Sequence, residues 1–322
     1  MKLVAVQAKM QAKDYADEAS FRQKVFNYCE QALENRPSQA IIAFPEAIAA
    51  PLLFAKNYKL FEKHNQKQAA FKLLRSNWQS YLSAAIKHRV LAKTIYLQQA
   101  LQAYRIYENV FAAAAKEFEA IVIAGSGFFP DIDYEVSKGM HIRNKQIFNV
   151  CNSYFASGKK TNTVRKVNLM GLEQKLRLSP ANINQLIPFR VKNQKIAVAI
   201  CLDAFYESVI SYYDALAATI IVQPSANFAS WTRPWPPNND LTEGEAWLKH
   251  GLRQQIQNRE NIHFGINPML VGELFGIELE GQSSIVANTK YYPNANLAGH
   301  KGLLAIAKTA TKEEVIGYSL KS

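Results

Sequence analysis

The run Lys195-Ile-Ala-Val-Ala-Ile-Cys201 constrains this chain more than any other stretch. Its apolar residues are unbroken up to the cysteine. A polar turn follows, and from Glu207 a helical pattern sets Val209, Tyr212, Tyr213 and Leu216 on one face. A buried strand, a turn and a helix are the setting in which a nucleophile is displayed. The turn lifts the thiol out of the sheet, and the positive end of the following helix favours the thiolate. A cysteine in an apolar run is otherwise ordinary core filling, so its meaning depends on the rest of the chain.

The alternation of strand and helix continues throughout. Leu3 to Ala8 reads as a strand, and Phe21, Val25, Tyr28 and Leu33 as the buried face of a helix. Gln39 to Phe44 is a second strand, cut off by Pro45 and followed by the carboxylate of Glu46. From Ala55 to Arg105 the pattern is helical, with Phe71, Leu74, Trp78, Tyr81 and Ala85 on one face and Leu97, Leu101 and Tyr104 on a second stretch. These helices read either as surface helices packed on the core or as a lid or partner surface. A helix from Tyr107 to Phe118 leads into the strand Ala120 to Gly125. Strands around His141 and over Gln146 to Phe155 precede Thr163 to Leu169, where Lys166 sits inside a strand-like run. After Cys201 come the strand Ala218 to Ser225 and a Trp/Pro-rich loop. Thr242 then caps a helix running to about Asn258. Strands are expected at His263–Leu270, Ser283–Ala287 and Gly302–Lys308. With no repeat and no linker, the pattern predicts one α/β domain over residues 1–322.

The net charge of +12 admits an anionic partner. No basic block stands out, however, so lysine-rich helices account for it and nucleic acid is not the expected partner. The three cysteines, Cys29, Cys151 and Cys201, are odd in number and far apart. They give no metal spacing and no disulfide framework, and point to a reducing, cytoplasmic setting. The N-terminus enters a strand at once and lacks a signal-peptide h-region, and no apolar run approaches the ~20 residues that span a bilayer.

Three short motifs give the cysteine its context: Ala43-Phe-Pro-Glu46, Arg165-Lys166-Val-Asn-Leu and Val198-Ala-Ile-Cys201-Leu-Asp203, in that order. Supporting stretches are Val222–Ala226, Asn258-Arg-Glu-Asn261 and Gly281-Gln-Ser-Ser284-Ile. In this set the sequence resembles the carbon–nitrogen hydrolase, or nitrilase, superfamily over nearly its whole length. The resemblance implies a four-layer αββα sandwich, a homodimer or larger homo-oligomer, and no metal or organic cofactor. It also implies a catalytic triad of Glu46, Lys166 and Cys201. In such a triad Cys201 would attack an amide or N-carbamoyl carbon, Glu46 would serve as general base, and Lys166 with the Leu202 backbone N–H would receive the oxyanion. Many relatives carry a second glutamate after the lysine. Glu173 is the candidate here, its other reading being a surface acid in the loop Gly171–Arg177.

The chain departs from the family in two places. No basic residue follows Cys201 through Glu207, so the far end of the substrate is expected to be neutral or cationic rather than a carboxylate. Asp203 is a candidate substrate contact, though a helix cap is its first reading. The aromatic-acid pattern of true nitrilases is also absent after the cysteine, which favours an amide over a nitrile. Secondly, the spacing from Glu46 to Gly125 is long, which predicts a helical insertion at about 56–105. The loop Trp231–Pro237 either walls the pocket, with Trp231 as a substrate contact, or simply packs. Two alternatives share the triad, a nitrilase and an acyltransferase. A third belongs to another class, a basic non-catalytic binding protein.

Overall fold

The computed structural model describes residues 1–34, 39–57, 89–137, 139–169, 171–175, 177–274 and 277–320. The expected helical face from Phe71 to Ala85, and most of the expected insertion, lie outside the described residues.

Two sheets form the centre. In the larger, the parallel strands Lys2–Lys9, Ala40–Ala43 and Ile121–Ile123 lie side by side, and Gly139–Tyr154 continues the sheet antiparallel to Ile121–Ile123. In the smaller, Gln194–Val198, Ile220–Val222 and Phe264–Asn267 run parallel. Side chains on a strand alternate between faces, and here the alternation sorts the core. Leu3, Ala5, Ile41, Ala43, Ile121 and Ile123 point at the second sheet and share a core with Ile196, Ile221 and Ile266. Val4, Val6, Ile42, Phe44 and Val122 point the other way, onto the helices Glu18–Ala32 and Arg89–Glu117. There Phe111 meets Phe44 and Phe21 edge-on, with ring centroids 5.1 and 5.9 Å apart. The helix Glu207–Ala215 belongs to the second sheet, its Tyr213 hydroxyl donating to the Val198 carbonyl at 2.6 Å. The helices Glu18–Ala32 and Arg89–Glu117 thus pack on the first sheet and the helix Glu207–Ala215 on the second.

Several boundaries differ from the sequence reading, each for a local reason. The stretches ending at Tyr104 and starting at Tyr107 are one helix of 29 residues, because nothing between them breaks the helix. The helix capped by Thr242 stops at His250 rather than near Asn258, and a separate turn, Leu252–Gln255, follows. Gly251 between them is extended, and a Cβ there would lie 2.5 Å from the Trp247 carbonyl oxygen. His263–Leu270 is not one strand: Pro268 divides Phe264–Asn267 in the second sheet from Met269–Leu274 in the first. Gly127–Glu135 is an edge strand that the sequence reading left unassigned, since its Pro130 and alternating acids mask the pattern. Lys166 stands one residue past the strand Lys160–Arg165 instead of inside it.

Candidate active site

Glu46 and Cys201 both leave the carboxyl ends of parallel strands, where open α/β sheets place their sites. Pro45 ends the first of these strands, and the chain turns at Ala47 with φ 59°. Gly125 makes this turn possible: its φ is +65°, and a Cβ there would sit 2.1 Å from the Pro45 carbonyl oxygen. Cys201 has φ 49°, a strained conformation for a residue with a side chain. Its N–H donates to the Pro224 carbonyl at 2.8 Å, and its carbonyl accepts from Gln223 Nε2 at 2.9 Å. The sharp turn holds the thiol at the edge of the sheet, partly exposed, whereas Cys29 and Cys151 are buried.

Lys166 is held from the long strand Gly139–Tyr154, its N–H donating to the Asn149 carbonyl at 3.0 Å. Its buried ammonium donates to Glu46 Oε1 and to Glu173 Oε2, both at 2.8 Å. Glu173, on the short turn Leu172–Lys175, is therefore buried and points inward. Asn149, which the sequence reading did not single out, donates through Nδ2 to Glu46 Oε1 at 2.9 Å and to Glu173 Oε1 at 2.7 Å. Its only signal in the sequence is a polar residue in the middle of an apolar strand. The Ala226 N–H donates to Glu46 Oε2 at 3.2 Å, and the Cys201 thiol lies 3.8 Å from the Ala226 carbonyl. Among the described residues the Leu202 N–H has no acceptor.

The electrostatics follow from burial. Desolvation pushes Glu46 above the usual carboxylate range; Lys166 opposes the rise and the negative charge of Glu173 adds to it. The Cys201 thiol is pushed well up by its surroundings and by Glu46, against the pull of Lys166. The resting sulfur is thus a thiol rather than the thiolate expected from a helix end. The helix begins only at Glu207, beyond a 3-10 turn over Cys201–Phe205. Burial alone would lower Lys166, but the carboxylates of Glu46 and Glu173 outweigh it and keep the ammonium charged.

Asp203 does not cap the helix that follows it. Fully buried, its carboxylate accepts from the Val167 N–H at 3.0 Å, the Asn168 N–H at 2.7 Å and Asn168 Nδ2 at 2.8 Å. It therefore ties the segment after Lys166 to the turn at Cys201. Desolvation outweighs these donors and raises its pKa to about 6. Asp203→Ala strands three donors, which should lower the unfolding free energy by about 2–4 kcal/mol in urea titrations. An unchanged midpoint would refute that role. Trp231 packs on Met269 and Val271 and donates to Gln282 Oε1 at 3.0 Å. It lines a cavity with Gln223, Trp247, Leu252 and Asn267, and that lining includes none of Glu46, Lys166 and Cys201.

Comparison with known proteins places the fold. A variant of the amidase from Nesterenkonia sp. AN1, with acrylamide added at its active-site cysteine, superposes with a TM-score of 0.61 at 12% identity, covering 100% of this chain and 93% of that one. A second variant of that amidase, described as from the nitrilase superfamily, gives a TM-score of 0.60 at 13% identity, covering 100% and 92%. At such identities the likeness is one of fold. Among curated proteins the sequence finds no match. The carbon–nitrogen hydrolase family model matches residues 2–246, and the chain belongs to that family.

Proposed function

We propose that this protein hydrolyses a small carboxamide or N-carbamoyl compound through a thioester on Cys201. One observation carries the reading: a partly exposed cysteine, held at positive φ, shares a buried cluster with the carboxylates of Glu46 and Glu173 and the ammonium of Lys166. An amide carbon is a poor electrophile, so a strong nucleophile has to be generated beside it. Glu46, made more basic by burial, takes the thiol proton as sulfur attacks. The oxyanion forms against Lys166 and the Leu202 N–H, and such donors are typically worth about 3–4 kcal/mol each. Glu46 then returns the proton to the departing ammonia or amine, and later takes one from the water that cleaves the thioester. Glu173 anchors the ammonium throughout.

The turn from Cys201 to Glu207 carries no basic residue, which supports a substrate with a neutral or cationic far end. The three thiols are unpaired, in keeping with a cytoplasmic protein. Among the described residues no helix is long and apolar enough to cross a membrane. Assembly as a homodimer or larger homo-oligomer belongs to the same reading, by family resemblance.

The reading is tested by intact-mass spectrometry after incubation with simple amides, N-carbamoyl amines and nitriles. An acyl adduct on Cys201 accompanied by ammonia release supports it; inertness of Cys201 to every substrate and to iodoacetamide overturns it. The pH profile is a second test. Protonated Glu46 cannot accept the thiol proton, so kcat/KM should fall as pH drops through its raised pKa. The acid limb should therefore lie above the ordinary carboxylate range, and a limb near pH ~4 would argue against Glu46 as the base.

A further inference from the structure

Asn149 closes a ring of charge at the candidate site. Its Nδ2 donates to Oε1 of Glu46 and to Oε1 of Glu173, at 2.9 and 2.7 Å. Lys166 Nζ joins the same two carboxylates at 2.8 Å each. An amide nitrogen has two hydrogens, and here each goes to a different carboxylate. One neutral nitrogen thus fixes the separation of two groups that repel each other. The orientation of the amide follows from chemistry, since the flipped form would set its oxygen against two carboxylates. Its Oδ1 is buried and, among the described residues, has no hydrogen-bond partner. Such an orphan is a cost to folding, and a native chain keeps it where something else is gained.

The ring leaves the oxygens of Glu46 unequal. Oε1 accepts from both Lys166 and Asn149, which fills its lone-pair sites. Oε2 accepts the longer bond from Ala226 N–H, at 3.2 Å, and the Cys201 thiol hydrogen-bonds the same carboxylate. We propose that Asn149 is a positioning residue that occupies Oε1 of Glu46 and so makes Oε2 the atom that takes the Cys201 proton. This rests on the reading of Glu46 as general base. In the step the S–H bond breaks and an O–H bond forms at Oε2, so thiol and carboxylate become thiolate and carboxylic acid with no change in net charge. The titratable groups facing Glu46 are Lys166, Glu173 and Cys201. Without the Nδ2 donor the Glu46 carboxylate loses a stabilising hydrogen bond while Glu173 still repels it.

The test is the pH dependence of Cys201 alkylation by iodoacetamide, located by peptide mass, in the intact protein. It needs no substrate. In the wild type the rate should rise with pH along an acid limb that belongs to the coupled Glu46–Cys201 pair. Asn149→Ala should move that limb up by about one pH unit. The isosteric Asn149→Asp, which adds a carboxylate, should move it at least as far and carries the test where the alanine variant does not fold. Ser153 Oγ is also buried without a partner but lies outside the ring. Ser153→Ala should leave the limb in place. Coincident limbs in wild type and both Asn149 variants would overturn the proposal, as would an equal shift in Ser153→Ala. Ammonia release from amides is scored in parallel. Absent ammonia with normal alkylation would sink the hydrolase reading separately from the role of Asn149.

Discussion

Cys201→Ala should unfold at nearly the wild-type urea midpoint while losing amide turnover by about four orders of magnitude or more. The two halves of this expectation have separate grounds. The turn is held by backbone contacts, from the Cys201 N–H to Pro224 and from Gln223 to the Cys201 carbonyl, and alanine keeps both. The sulfur adds a long contact, 3.8 Å from the Ala226 carbonyl, and a hydrogen bond to the Glu46 carboxylate, which Lys166, Asn149 and the Ala226 N–H continue to hold. Its loss is therefore small for folding, yet it removes the nucleophile of the proposed thioester mechanism. Glu46→Gln should abolish turnover to a similar degree. The amide oxygen can still accept from Lys166, but the side chain can no longer receive a proton. The double variant should be no worse than either single one, because nucleophile and base act as a unit. Ammonia release and urea titration on the three proteins check this, and additive losses would mean that Glu46 serves some step other than thiol activation.

The parts of the site legible in the sequence were those marked by a break in pattern. Glu46 follows a proline that ends an apolar strand, Cys201 ends another such strand, and Lys166 interrupts a strand-like run. What stayed hidden was what those breaks are for. Asp203 looked like a cap because it precedes a helix, but capping depends on backbone angles, and the 3-10 turn aims its carboxylate at Val167 and Asn168 instead. Glu173 could be read as a surface acid because nothing local shows that a turn of four residues folds inward. Asn149 gave the faintest signal, since it is one of three asparagines in its strand, and only the pairing of that strand with Lys160–Arg165 brings it beside Lys166. The fold was legible for a related reason. Apart from Gln7, the even and odd positions of Leu3–Ala8 are apolar, and a strand apolar on both sides has to be covered on both faces. The edge strand Gly127–Glu135 and the pairing of Glu314–Ser319 with the first strand lacked that excess of apolar residues and were missed.

Lys166→Met should damage both stability and catalysis, and the two effects should separate with pH. The ammonium is buried between two carboxylates, and methionine fills a similar volume without the charge. Removing one member of a buried ionic cluster typically costs about 3–5 kcal/mol, because the remaining charges are left uncompensated. Here a relief exists, since Glu46, already raised by burial, can take up a proton. With the cation gone, the pKa of that carboxylate rises further above its unfolded value. A raised acid stabilises the native state only while it is protonated. The variant should therefore lie closest to the wild type in mildly acidic buffer and lose stability as pH rises through the raised value. Adding Glu173→Gln removes the second carboxylate and should restore much of the stability at neutral pH. Turnover should not return with it. The positive charge beside the forming oxyanion is still missing, so activity should remain lower by about a thousandfold or more. Urea midpoints across pH, with ammonia release at each, distinguish the two roles. A stabilised double variant that works within about tenfold of the wild type would leave Lys166 a purely structural cation and move the oxyanion to the Leu202 N–H and other donors.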